Sequence, residues 1–571
     1  MATISAGQAV VEVLKAEGVK FVFGLPGGHT LGIYDGLLNT PEIRHILVRH
    51  EQTAASMAAV YAQLTGEPGV CCATAGPGAT NLVTGIAEAY IGALPVIVLT
   101  GRGATRTALR GAAQELAQEK IFAPITKWAI RVDRSDMIIE IMRQAFTIAR
   151  SGKPGPVLID FPMDILMQAV EFGGYVRVGK PPAPRGNPEG VRAATEELLR
   201  SKRPIIIAGG GTVMSGAFNE LREFAETLGL PVLTTLSGRG SFPDDHPLAV
   251  GGLGLHRTKI SKKFLVEADF VLGLGCRFEQ METNWAPDYV PASNACYVQV
   301  DTDPAEIGKS VIPKIGIVSD IKFLLGDMLR TVREKGGPDH RSTFRNLPRI
   351  KELSQLKAEL EAEIEQTLAT RETPLKPVYV IREIRDAFPR ETTAAIDIGC
   401  LAQALGGAFP YFNIYEPRSI MCCTSLYAMG FAAAGLPVAR LVYPERPAVG
   451  LCGDGSFQMV MNILPVAAEH HLPVTWCILD NLCLGSIRDL QEGQGEASCY
   501  IPMPFEVQPD FAQIAKACKC YGEKIEDPGQ VKPALQRAID ANNRGVPAVL
   551  DFIVKRGWPQ AAYDYFAGFF L

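Results

Sequence analysis

Nowhere in these 571 residues does an apolar run reach the roughly 18–20 positions that a bilayer-spanning helix requires, so no membrane partner is expected. A long basic run is also missing. The 56 Lys and Arg stand against 61 Asp and Glu, a net charge of −5, and nucleic acid is not an expected partner. The chain has no Walker A sequence and no G-x-G-x-x-G fingerprint followed by an acidic residue, which argues against a P-loop NTPase and an NAD(P)-binding dehydrogenase. Zinc spacing is absent as well: Cys518-Lys-Cys520 reads as helix composition, and there is no short repeat. The thirteen cysteines are an odd number, and several sit in strand-like apolar runs (Cys71-Cys72, Cys276, Cys422-Cys423). They read as reduced core thiols of a cytoplasmic protein. The opening MATISAGQAVVEVLKAEGV reads as the start of an amphipathic helix rather than a signal peptide.

What is present is a globular composition, 47% apolar and 20% charged, in a chain too long for one core. Length alone suggests about three or four domains. The most informative stretch is Cys452–Gly485, CGDGSFQMVMNILPVAAEHHLPVTWCILDNLCLG. An apolar run ending at Cys452 meets a Gly453-Asp454-Gly455 turn; a helix-length segment follows, then a second apolar run, Val474–Leu479, ending at Asp480-Asn481. That is a βαβ unit of a parallel sheet, in which both strand ends open on one edge. Asp454 and Asn481 then face one crevice. A carboxylate beside a carboxamide oxygen suits Mg²⁺ holding a phosphate. The plainer alternative is a βα turn with a surface Asp and an Asn that caps a helix.

GDGSF with Asn481 downstream resembles the thiamine-diphosphate (ThDP) motif of the acetolactate synthase-like enzymes. The resemblance implies Mg²⁺ on Asp454, Asn481 and the backbone oxygen of Cys483, with the diphosphate on Gly455 and Ser456. Family members often have Asn-Asn where this chain has Asp480-Asn481.

Residues 1–170 alternate helix and strand patterns, which implies a doubly wound parallel sheet. Three turns punctuate it: Leu25-Pro-Gly-Gly-His-Thr30, Arg49-His50-Glu51, and Ala75-Gly-Pro-Gly-Ala-Thr-Asn81. On position alone Glu51 is a helix-opening acid. However, LPGGHTLGIYDGL, RHEQTAASMAAVYAQLTG and AGPGATNLVTGIAEAY resemble the pyrimidine-binding domain of acetolactate synthases. The resemblance gives Glu51 a proton shared with N1′ of the cofactor, so that the cofactor's own imino nitrogen becomes the base at the thiazolium carbon. Glyoxylate carboligases lack that Glu. Gln114-Glu115 matches the family's Gln-Glu at the substrate mouth, with Ala113 where Phe is usual. Lys127 matches a family Lys, although a helix or loop residue is the reading its context favours. His29 is a departure: synthases carry a small apolar residue there, whereas benzaldehyde lyase carries His, and APITKW with GPVLIDFPMDILM also resembles that enzyme. A His in this loop could move protons at the substrate's carbonyl or hydroxyl, or could simply face solvent.

Residues 171–189 read as a Pro/Gly-rich linker, 190–335 as a central domain, and 336–372 as a linker with a charged helix. Residues 373–556 read as the diphosphate domain, and 557–571 as an aromatic tail. The central domain resembles one that binds FAD in some members and nothing in others. Here Arg277-Phe-Glu-Gln-Met281 replaces RFDDR and Arg257 follows His256, which weighs against FAD. By resemblance Met429 is a wedge that bends the cofactor; a core Met is the alternative. Cys400 replaces a Gln after Gly399, and Leu490 replaces a Trp.

The expected architecture is α/β, with three doubly wound parallel-sheet domains in the ThDP-binding arrangement. The expected function is ThDP- and Mg²⁺-dependent carboligation of 2-oxo acids such as pyruvate. Acyloin (benzoin-type) lysis, or simple decarboxylation, is the alternative; a catalytically silent regulatory homologue is a remote one. Expected catalytic residues are Glu51, His29 and Gln114. Expected cofactor contacts are Pro26, Gly27, Glu51, Gly76, Asn81, Gly399, Cys400, Met429, Gly453, Gly455, Ser456, Asn481 and Gly485. Because Glu51 and Asp454 lie in different domains, the resemblance implies a homodimer or homotetramer with sites between subunits.

Overall fold

The computed structural model describes residues 2–286, 290, 294–399, 411–488 and 505–556. Cys400, Leu490 and the aromatic tail lie outside these residues. The first eight strands are β1 (Ala2–Ser5), β2 (Phe21–Leu25), β3 (Arg44–Leu47), β4 (Gly69–Ala73), β5 (Val96–Arg102), β6 (Trp128–Arg131), β7 (Val157–Pro162) and β8 (Ala169–Phe172). β9 (Pro204–Ala208), β10 (Val232–Thr234), β11 (Ala249–Gly252), β12 (Phe270–Leu274), β13 (Cys296–Asp301) and β14 (Ile315–Val318) follow. The last six are β15 (Thr393–Ile396), β16 (Ile420–Cys422), β17 (Ala448–Gly453), β18 (Thr475–Asp480), β19 (Tyr521–Ile525) and β20 (Ala548–Ile553).

Eighteen of these form three six-stranded sheets, ordered β3-β2-β4-β5-β7-β6, β11-β10-β9-β12-β13-β14 and β16-β15-β17-β18-β20-β19. Every pairing within them is parallel. The central strands are buried on both faces, as in VLIDFP and TWCILD, because helices cover each side. The three doubly wound α/β units expected from the alternating pattern are therefore present. Numbered within each unit, the first and last sheets share the order 2-1-3-4-6-5, whereas the middle one is 3-2-1-4-5-6. The middle order reverses once, between β9 and β12; the first and last reverse between β2 and β4 and between β15 and β17, and turn back again at their far ends, where β7 precedes β6 and β20 precedes β19. At such a reversal the connecting helices leave to opposite faces, and a crevice opens beyond the carboxyl ends of the strands.

The first and last sheets are joined through helices. Glu51–Thr65 (EQTAASMAAVYAQLT) has buried residues all around it, because it packs on Pro77–Ile91 on one side and on Phe431–Gly435 on the other. Its alanines permit that approach. A Cβ on Gly435 would stand 2.3 Å from Val60 Cγ2, so a larger residue there would push the two domains apart. One hydrophobic cluster accordingly runs from Phe23 and Met57 to Leu436 and Trp476.

The differences from expectation are small strands. Ala2–Ser5 is a strand ahead of the helix, which starts at Ala6 with Ser5 accepting from the Gln8 amide at 3.1 Å. Its antiparallel partner is Ala169–Phe172, at the start of the stretch read as linker. The edge strands Trp128–Arg131 and Ile315–Val318 were also not expected. No described helix is long and apolar enough to cross a membrane.

Candidate active site

The first crevice opens between β2 and β4. The loop after β2 carries Pro26, Gly27 and His29, and the loop after β4 carries Thr74 and Gly76. His29 Nδ1 lies 3.3 Å from Thr74 Oγ1, so the two loops touch across the reversal point. The imidazole is partly buried, and burial lowers its pKa, which keeps it neutral near pH 7. Gly76 caps the helix Pro77–Ile91 with φ +59°, and the Gln114 backbone leaves no room beside it for a side chain. Five residues on, Asn81 Nδ2 donates to Glu51 Oε2 at 2.9 Å. Glu51 itself is buried at the start of its helix, with 6% of its surface exposed. His29, Gly76, Asn81 and Glu51 thus sit at one sheet edge, brought there from three loops.

Gln114 lies against the Gly76 turn, its Cβ 2.9 Å from the point where Gly76 would carry one. It is exposed, has φ +61°, and makes no side-chain hydrogen bond among the described residues. Glu115 organises its own loop by accepting from the amides of Gly111 and Ala112, both at 3.1 Å. The fully buried glutamine beside this loop is Gln118, which the sequence reading passed over. Its Oε1 accepts from Gly76 N at 2.8 Å, and its Nε2 donates to Gly101 O at 3.1 Å and to Asp160 Oδ1 at 2.6 Å. Asp160 pairs across the sheet with Thr100 and accepts from its hydroxyl at 3.0 Å. Burial pushes the Asp160 carboxyl up to about 7, opposed by Arg102, whose Nη1 lies 3.4 Å from Oδ2. Lys127 is a cap: its ammonium donates to the carbonyls of Ile148 and Ser151, both at 2.5 Å, at the end of the helix Ile138–Arg150.

The last crevice opens between β15 and β17. Side chains built on Gly399 and Gly453, one after each strand, would meet nothing within 4 Å among the described residues, so both border open space. Asp454 is 3% exposed and Asn481, at the end of neighbouring β18, is 5% exposed. The βαβ geometry read from the sequence is therefore the one observed. Asp454 Oδ1 accepts from Gly455 N at 2.9 Å, and Asn481 Oδ1 accepts from Cys483 N at 3.3 Å. The Cys483 carbonyl accepts from Gly485 N at 2.8 Å.

A further glutamine missed from the sequence, Gln508, donates to Asp454 Oδ2 at 3.1 Å and to Asp480 Oδ1 at 3.0 Å. Burial, then the nearby Asp480 charge, pushes the Asp454 carboxyl up to about 7. Burial, again with Asp480, takes Asp551 to about 8. The described residues hold no cluster of three or more His, Cys, Asp or Glu placed for a metal. The donor set is one carboxylate, one carboxamide and one carbonyl, which fits a hard divalent cation that keeps further oxygen ligands from a phosphate. A cation would also relieve the carboxylate repulsion. The Ser456 hydroxyl donates to Asp397 and accepts from Gly430 N at 2.9 Å, so a phosphate there would meet the backbone N–H rather than the hydroxyl. Met429 Cε comes within 3.5 Å of the point where Gly455 would carry a Cβ. The thioether thus stands over the Gly-Asp-Gly turn.

Three family models match the chain: the thiamine pyrophosphate enzyme N-terminal TPP binding domain over residues 4–121, the central domain over 191–329, and the C-terminal TPP binding domain over 397–552. A probable acetolactate synthase large subunit of Methanocaldococcus jannaschii is 35% identical over 566 residues, 96% of this chain and 92% of that protein. The acetolactate synthase isozyme 3 large subunit of Escherichia coli is 34% identical over 562 residues, 95% of this chain and 94% of that protein. The acetolactate synthase large subunit of Corynebacterium glutamicum is 32% identical over 570 residues, 98% and 88% respectively. With all three domains matched and identity spread over nearly the whole length, the chain belongs to the thiamine pyrophosphate enzyme family, among relatives named acetolactate synthase.

Proposed function

We propose that the chain catalyses decarboxylating ligation of a 2-oxo acid, with pyruvate as donor, to a second carbonyl compound, using ThDP and Mg²⁺. The observation that carries this reading is the pair of polar half-sites at corresponding sheet edges: Glu51 with Asn81 on the first, Asp454 with Asn481 on the last. Asp454, Asn481 and the Cys483 carbonyl would hold Mg²⁺, with the backbone amides near Gly455 and Ser456 and the open edges at Gly399 and Gly453 against the diphosphate. When bound, the cofactor supplies an electron sink at its thiazolium carbon. Glu51 holds a proton at the aminopyrimidine ring nitrogen. Met429 would pack against the bound cofactor above the Gly-Asp-Gly turn, and His29, neutral at pH 7, would exchange a proton with the substrate oxygen.

No described hydrogen bond or ion pair joins Glu51, Asn81 or His29 to Asp454, Asn481 or Met429 of the same chain. Apolar side chains lie exposed beside both half-sites, among them Leu31 (53%), Leu109 (98%) and Met459 (54%). A second copy of the chain would cover them and complete each site, which supports a homodimer or a dimer of dimers. Every described cysteine is a free thiol, in keeping with a reducing, cytoplasmic setting.

FAD is assigned no role. A cavity of about 300 Å³ lies at the reversal between β9 and β12, but Glu282, Asp301 and Glu306 line it, and the lining cations are already paired. Arg150 pairs with Glu17 and Lys153 with Glu306, both at 2.6 Å, so a flavin diphosphate would find little free positive charge.

The test is product analysis after the apo-protein is reconstituted with Mg²⁺ and ThDP and given pyruvate alone. Acetolactate with CO₂ is the expected result. His29 beside Thr74 favours a second reading, acyloin lysis; untouched pyruvate with benzoin cleaved to benzaldehyde would establish it instead. No turnover of either, with ThDP bound, would overturn both substrate assignments.

A further inference from the structure

Glu88 is a fully buried carboxylate in the last turns of the helix Pro77–Ile91, and nothing in the proposed chemistry uses it. No described ion pair reaches it. Its Oε1 accepts from Thr424 N and its Oε2 accepts from Ala428 N at 3.0 Å, both across the boundary with the last domain. Thr424 Oγ1 also donates to the Glu88 carbonyl at 3.2 Å. Burial raises the carboxyl's pKa, and the hydrogen bonds from Thr424 and Ala428 oppose that rise.

The segment it grips, Thr424–Gly430, is an irregular turn with Tyr427 at φ +57° and Gly430 at φ +85°. Two other carboxylates hold the same segment. Glu279 of the middle domain accepts from Ser425 Oγ. Asp397, at the end of β15, accepts from Gly430 N at 2.8 Å and from Ala433 N at 2.7 Å. One acid from each domain therefore converges on seven residues, and Met429 is the residue between the two pinned amides of Ala428 and Gly430.

We propose that Glu88 is a positioning residue that fixes Met429 over the Gly-Asp-Gly turn, so that the first domain of a chain governs cofactor binding at that chain's diphosphate half-site. This rests on the reading of Met429 as a cofactor contact. Because the same helix carries Asn81 at its other end, it connects the Glu51 half-site to the Met429 half-site rigidly. In a dimer those two half-sites belong to different active sites.

Glu88→Gln keeps volume but offers one acceptor and one NH₂ to two facing N–H donors, so one amide loses its acceptor. The experiment is a double-mutant cycle on the full chain, reading the ThDP dissociation constant by calorimetry at saturating Mg²⁺, with the apo-protein melting temperature recorded alongside. Glu88→Gln is expected to weaken ThDP binding about tenfold, the scale of one lost buried charge-assisted hydrogen bond. In a Met429→Ala background the same change should cost less than about twofold, because the residue it acts through is gone. Glu88→Asp, which keeps the charge and one bond, should recover part of the loss. If Glu88→Gln fails to fold, Glu88→Asp takes its place in the cycle. Equal losses in both backgrounds, or no loss in either, would overturn the proposal. A wild-type chain that does not bind ThDP overturns the functional reading itself.

Discussion

Replacing Gln118 by leucine removes three buried hydrogen bonds at nearly constant volume. Gly76 N–H loses the Oε1 acceptor at 2.8 Å, while Gly101 O and Asp160 Oδ1 lose their donors at 3.1 and 2.6 Å. The stranded Gly76 amide costs about 1–3 kcal/mol by itself, and the two weakened acceptors bring the total to about 3 kcal/mol. Asp160 keeps Thr100 as a donor at 3.0 Å, which limits its share. If the first domain unfolds as a unit, that loss lowers its melting temperature by about 6–12 °C. The assay is thermal unfolding of the apo-protein together with amide hydrogen exchange. Peptides covering residues 74–81 should exchange faster in the variant, and peptides from β9 and β10 should not change. Gln114→Leu, at an exposed position, should shift stability by less than about 0.5 kcal/mol. A Gln118→Leu drop smaller than about 2 °C with unchanged exchange at 74–81 would refute the reasoning.

His29→Ala should lower kcat by about 10²-fold while the ThDP dissociation constant stays within about twofold, as for a proton-transfer group that does not hold the cofactor; unchanged kcat would remove it from the site. Asp454→Asn should stabilise the apo-protein at pH 8 by about 1–2 kcal/mol, since it ends the repulsion with Asp480. It should also abolish the rise in melting temperature that Mg²⁺ and ThDP give the wild type; a rise that survives would exclude Asp454 as a ligand. Asp160 has a native pKa of about 7 against an ordinary 3.8, so between those values the folded chain binds the extra proton. Its contribution to stability therefore falls as pH rises, by at most about 1.4 kcal/mol per unit. Wild type measured against Asp160→Asn should gain between pH 8 and pH 5.5, and a difference independent of pH would contradict the assignment.

The features legible in the sequence were those built from neighbours along the chain. Gly453-Asp454-Gly455 and Asp480-Asn481 each end an apolar run, and β17 and β18 pair directly, so one βαβ unit sufficed to bring Asp454 and Asn481 to the same edge. Pro204–Ala208 and Phe270–Leu274 stood out because fully buried parallel strands are continuous apolar runs between turn residues. The edge strands Trp128–Arg131 and Ile315–Val318 are short and partly exposed, so neither run length nor alternation marked them.

Gln118, Glu88, Asp397 and Gln508 were missed for a different reason: their partners are remote in sequence. Gln118 meets Gly76 and Asp160 from 42 positions away in either direction, and Glu88 meets Thr424 across 336. Two of these networks nevertheless left a mark. Asp160 interrupts VLIDFP and Asp397 interrupts AAIDIG, each a lone acid in a run that must be buried on both faces. A buried acid is tolerated only where several donors converge on it. Asp160 lies in the second half of β7 and Asp397 directly follows β15, in sheets of the same 2-1-3-4-6-5 order. Asp160 is tied through Gln118 to the Gly76 turn, and Asp397 binds Gly430 N beside Met429. In both sheets, then, a lone acid within or just after a buried strand marks the network that holds a crevice turn in place, and it can be read before the partner that completes it is known.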